Sequence, residues 1–195
     1  MAPQRQRQRQ QQQQRHVRRP LSSRKLDMLY LVFFTIHIPI MLLVDLGPLW
    51  PSTLRPQISR TLHDHMAATY NDKFFADPPA WFTWYLYIEA LYHLPLSMWM
   101  MWAIPKDHVM LPLHLLLFGV ETGITTLTCI ADMGSWTGYT TKQKNDLYGL
   151  YVPYIGLAVL IGVDAFVRVR NQILNGAGAG AGASLQAGAD KGKKA

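Results

Sequence analysis

Seven ionisable side chains fall inside or at the edge of apolar runs: His37, Asp45, Glu89, His93, His114, Glu121 and Asp164. A charged side chain in hydrocarbon costs about 2.5–3.5 kcal/mol on insertion scales, so such groups normally face a partner or a cavity. Glu89 and His93 are four apart, on one helical face, where each can hydrogen-bond the other. His37 and Asp45 are eight apart, about 80° around a helix, and fit one broad stripe. Glu121 shares a face with Thr125. Carboxylates and imidazoles from three helices would thus converge on a cleft walled by Trp, Tyr, Phe and Met. An acidic cleft with aromatic walls suits a cationic or polar-headed lipophile, such as an amine or a sterol. Glu89, His93 and Glu121 could instead serve as general acid and base. Residue types and spacing do not separate binding from proton-transfer catalysis.

Each of these residues also has a plainer use. His37 could bond a carbonyl freed by Pro39. His114 falls near the end of its span, at the interface. Asp164 precedes Arg168 by four residues, the spacing of a helix-end ion pair. Asp45 lies close to a span boundary. Glu89 and Glu121 are deeper, and for them a cavity outweighs a buried interhelical hydrogen bond.

The elements that must position these groups are membrane spans. Whole-chain mean hydropathy is only +0.02, because polar ends offset a middle dense in Leu, Ile, Met and aromatics. Apolar runs at residues 26–46, 80–104, 109–131 and 147–167 each approach the ~20 residues needed to cross a bilayer. Six Trp and nine Tyr fit two membrane–water interfaces. The pattern predicts an all-α membrane protein, a four-helix bundle over residues 26–170. Pro39, Pro95, Pro112 and Pro153 fall in or beside the spans, where kinks open space between helices. Residues 47–79 can carry a short helix of their own. Residues 1–25, basic and Gln-rich, read as a disordered arm that favours anionic lipid over nucleic acid, since no aromatics interleave with the arginines. Residues 171–195 read as a flexible Gly/Ala-rich tail.

Four spans put both tails and the 105–108 turn on one side, with 14 of the 19 Lys and Arg residues. The positive-inside rule then predicts cytosolic termini. KGKKA at the end fits a dilysine retrieval signal for the endoplasmic reticulum. Residues 1–20 lack the apolar run of a secretory signal, so the first span is expected to anchor the chain. The one cysteine, Cys129, permits no disulfide within the chain, and no metal-ligand spacing is present. No cofactor is expected.

The segments HIPIMLLVDL in the first span, DKFFADPPAWF before the second, E-x-x-x-H-L-P at residues 89–95, TTL at 125–127 and Y-x-P-Y at 151–154 resemble the EXPERA-domain membrane proteins, and within them the sigma-2 receptor group. The resemblance spans residues 26–170. It implies a four-helix bundle of the endoplasmic reticulum membrane with a pocket reached from the bilayer and a role in sterol handling. By the same resemblance Asp45 forms the salt bridge to a ligand amine and Glu89 hydrogen-bonds Asp45. His37, Thr126 and Tyr154 join the pocket, and Asp72 holds the luminal region together. Fungal members of the group are associated with the fate of mitochondrial precursor proteins at the endoplasmic reticulum surface. A homodimer or contacts with other membrane proteins there are compatible partners. His93 stands where the receptor has glutamine. Glu121 is similar to the acid of the related sterol isomerases, although their Asn-x-x-Trp is missing from the fourth span.

Overall fold

A computed structural model describes residues 19–192, with side chains as far as residue 176. Most of the arm expected to be disordered, residues 1–18, lies outside the described residues. Helix α1, Lys25–Ile40, passes into a π-helical turn, Met41–Asp45. The following loop carries α2, Gln57–Tyr70, and the single turn α3, Lys73–Ala76. Ala80–Ile88 (α4), a second π turn, Glu89–His93, and Leu94–Ala103 (α5) follow without a break. The long helices α6, Leu111–Ser135, and α7, Thr141–Gly192, complete the chain. Among the described residues there is no strand.

Three helices are long and apolar enough to cross a membrane: Lys25–Asp45, Leu111–Ser135 and Thr141–Gly176. The protein is therefore an all-α membrane protein. The expected span at 80–104 is helical but divided at its π turn. Each π turn lies beside a proline, Pro39 or Pro95. The Pro95 ring leaves the Leu91 carbonyl, inside the second π turn, without its N–H partner, and the widened turn absorbs the mismatch. The two widened turns carry Asp45, Glu89 and His93.

The expected tail boundaries shift. Leu21–Ser23 form a 3-10 turn, and Arg24 is 5% exposed, its Nη2 donating to the Ile104 carbonyl at 2.8 Å. The chain is thus packed from about residue 19 onward. At the other end α7 continues through the expected flexible segment as far as Gly192, consistent with its alanines, the strongest helix formers.

Two cores hold the bundle. Tyr30, Phe34, Met100, Leu115, Phe118 and Ile161 pack at the end that carries the termini. Phe74, Cys129, Met133, Trp136 and Leu147 pack at the opposite end, beneath the α2–α3 loop. Helices α6 and α7 run side by side. A Cβ on Gly119 would come within 2.9 Å of the Gly162 backbone nitrogen and 3.0 Å of the Ala158 carbonyl, so glycine permits this approach. The space between the two cores is the site.

Candidate ligand-binding site

A cavity of about 410 Å³ opens between the two π turns, α4, α6 and α7. This lies within the ~300–1,000 Å³ of small-molecule sites. Its walls are largely apolar and aromatic, including Ile40, Val44, Phe82, Tyr85 and Leu86. His37, Asp45, Glu89, His93, Thr126 and Tyr154 all line it, as do Glu121, Thr122 and Thr125.

The polar groups divide into two sets. Asp45 and Glu89 reach the cavity from the two π turns, and among the described residues neither carboxylate has a hydrogen-bond or ion-pair partner from the protein. The second set is a chain: His93 Nδ1 bonds Glu121 Oε2, and His93 Nε2 lies 3.4 Å from His37 Nε2. His37 stacks on Phe33, with ring centroids 4.8 Å apart, and its Nδ1 has no partner among the described residues. Two expectations are corrected here. His93 pairs with Glu121 on another helix and not with Glu89 one turn away, because a widened π turn separates the two and α6 offers a carboxylate across the gap. His37 meets His93, not a carbonyl freed by Pro39.

Asp72 lies outside the cavity but braces its wall. Its side chain accepts from the Phe74 amide at 2.9 Å, capping α3, and from the Tyr151 hydroxyl at 2.8 Å. Phe74 and Tyr151 both line the cavity. Burial raises the Asp72 carboxyl from its ordinary value, against the pull of the Tyr151 and Phe74 bonds. Among the described residues no three His, Cys, Asp or Glu side chains are grouped to hold a metal ion. The arrangement can do two things chemically. Unpaired carboxylates among aromatic faces attract a cation, and the His93–Glu121 pair can hold or pass a proton.

A cluster at the terminal end was not foreseen. Asp27, fully buried, bonds Arg24 and takes Arg168 Nη1 at 2.6 Å. Asp164 pairs with Arg168 at 2.8 Å, the expected ion pair, and also accepts from Tyr30. An acid in the first turn of an apolar run was the available signal for Asp27.

Residues 57–165 match the family described as EXPERA (EXPanded EBP superfamily). The chain is 28% identical over 150 residues to sigma intracellular receptor 2 of Xenopus tropicalis, covering 72% of this chain and 88% of that protein. It is 26% identical over 148 residues to sigma intracellular receptor 2 of Homo sapiens, covering 70% and 84%. It is 28% identical over 141 residues to efficient mitochondria targeting-associated protein 19 of Saccharomyces cerevisiae, covering 64% and 87%. With the family match covering more than half of its length, the chain belongs to the EXPERA family of membrane proteins.

Proposed function

We propose that this protein binds a sterol or a cationic amphiphile in the cavity between its helices and acts in lipid handling at the endoplasmic reticulum. One observation carries the reading: two carboxylates, Asp45 and Glu89, face a mostly apolar cavity with no protein partner among the described residues. Two such acids are costly in a bilayer protein unless a ligand answers them. A ligand with an apolar body and an amine or hydroxyl end supplies what the walls and the acids each lack. His37, His93, Thr126 and Tyr154 shape the pocket in this reading, and Asp72 supports it from behind. In this reading α4 and α5, with the π turn between them, make a fourth crossing, which would put both termini on one side, and the excess of Lys and Arg there supports the cytosol. Similarity to two sigma intracellular receptors supports a receptor-like, non-enzymatic role.

The His93–Glu121 pair favours a second reading, a sterol double-bond isomerase. Shifting a ring double bond requires one proton delivered and one removed, and a carboxylate–imidazole pair beside Glu89 suits that task. Expression in cells lacking that isomerase tests it: an unrestored sterol profile ends the idea. Similarity to the yeast targeting-associated protein supports a third reading, in the routing of mitochondrial precursors. There an Asp45/Glu89 double variant should still complement a deletion. The leading proposal is tested by mass spectrometry of lipid that co-purifies with the protein. A sterol or amphiphilic amine retained by wild type and lost from Glu89→Gln is the expected result. Equal retention by both would overturn it.

A further inference from the structure

The end of the bundle that carries the termini holds a second cavity, of about 260 Å³, between the α5–α6 turn and α7. Arg168, Asn171, Gln172 and Asn175 line it from one face of α7, and Arg19 and Asp107 line it from the opposite side. Their spacing of three, four and seven residues makes the α7 face continuous. Residues 171–175 are all exposed. Ile173 is 64% and Leu174 53% exposed, so this turn offers apolar side chains to lipid beside the amides that line the cavity.

The depth agrees. Trp99 and Trp102 gather around His108, which also lines this cavity, and Lys106 Nζ sits 4.1 Å from the centroid of the Trp102 ring. Clustered Trp with a cation marks the headgroup level of a bilayer. The charge agrees too. Asp107, the carboxylate that lines the cavity, is engaged by the Arg19 amide at 3.0 Å, the Arg19 guanidinium at 3.4 Å and Arg24 at 3.6 Å. Arg19 holds Asp107 through Nε and Nη2, each at 3.4 Å, its side chain is 62% exposed, and among the described residues its Nη1 has no partner. Gln172 donates to the Val109 carbonyl at 3.2 Å, whereas among the described residues Asn171 and Asn175 have no partner. A guanidinium with several amide donors matches the oxygens of a phosphate. The volume falls just below the ~300 Å³ from which whole small-molecule sites begin. It suits a headgroup whose acyl chains lie outside, along Ile173 and Leu174.

We propose that this cavity binds the phosphate-bearing headgroup of an anionic phospholipid from the leaflet on the terminal side. Five arginines precede Arg19 in the sequence and would add long-range attraction to the same lipids. The site is independent of the central cavity.

The test is native mass spectrometry of the purified full-length protein, offered dioctanoyl phosphatidylinositol phosphate or dioctanoyl phosphatidylcholine. Wild type should retain the anionic lipid in preference to the zwitterionic one. Asn171→Ala/Asn175→Ala should lower that retention about fivefold, the loss expected from a ~1 kcal/mol hydrogen bond, with melting temperature unchanged. Arg19→Ala should lower it as well. Should Arg19→Ala unfold by losing Asp107, the asparagine pair, which holds no structural bond among the described residues, still decides the matter. Unchanged retention by the asparagine variant, or equal retention of both lipids by wild type, overturns the proposal. Displacement by soluble inositol phosphate at matched concentration would assign the site to a free anion and overturn it equally.

Discussion

His93 bonds Glu121 on α6 through Nδ1, while its Nε2 lies 3.4 Å from Nε2 of His37 on α1. Three helices are thereby linked by one polar chain at the wall of the central cavity, and His93 is only 6% exposed. Glu121→Leu would leave a buried imidazole nitrogen unpaired, a loss of about 1–3 kcal/mol. Glu121→Gln keeps an acceptor and should lose less. Thermal unfolding of the purified protein in detergent should rank wild type above Gln and Gln above Leu. Melting of all three at the same temperature would contradict the linkage.

The terminal end depends on Asp27, which is fully buried between Arg24 and Arg168. Removing one member of a buried charge group strands the others, at about 3–5 kcal/mol. Asp27→Leu should therefore lower the melting temperature more than any single substitution of the exposed pair Lys142–Asp146, whose side chains are 85% and 43% exposed. A Lys142→Ala variant should be nearly neutral. Equal effects at the two sites would count against a structural role for the buried cluster.

Asp107 gives this end an acid sensitivity. Its burial alone would raise the carboxyl, but the Arg19 amide and guanidinium and the Arg24 charge outweigh it and hold Asp107 below its ordinary value. A carboxyl lowered in the folded state contributes stability fully above its unfolded value of about 3.9, and loses it as pH falls through the lower folded value. Melting temperature followed downward from neutral pH should fall below about pH 4. Asp107→Asn should start lower and show a shallower fall. An identical acid limb in the variant would remove Asp107 as its source.

Much of the central site is legible in the sequence because ionisable residues in apolar runs are few and expensive. His37, Asp45, Glu89, His93 and Glu121 stand out for that reason alone, and all five line one cavity. Their pairing is not legible. Four-residue spacing makes Glu89 the obvious partner for His93, and only the packing of α6 against the π turn shows that Glu121 takes the bond. The π turns are also hidden: Pro39 and Pro95 signal a disturbance, but a kink, a break and a widened turn leave the same trace. Arg24 reads as part of a basic arm, since its contact with Ile104, eighty residues on, depends on where the chain returns. The cavity lined by Arg19 and α7 is missed for the same reason, because its walls are more than a hundred residues apart.

The central claim is that Asp45 and Glu89 face a ligand, and the most direct measurement is saturation binding of a cationic amphiphile to purified wild type and Asp45→Asn. Loss of a charge-assisted contact, worth about 1.5–3 kcal/mol, predicts at least a roughly tenfold weaker Kd. Helix content and melting temperature should stay at wild-type values, because Asp45 holds no protein partner among the described residues whose loss would unsettle the fold. A folded Asp45→Asn protein that binds the amphiphile as tightly as wild type would contradict the claim.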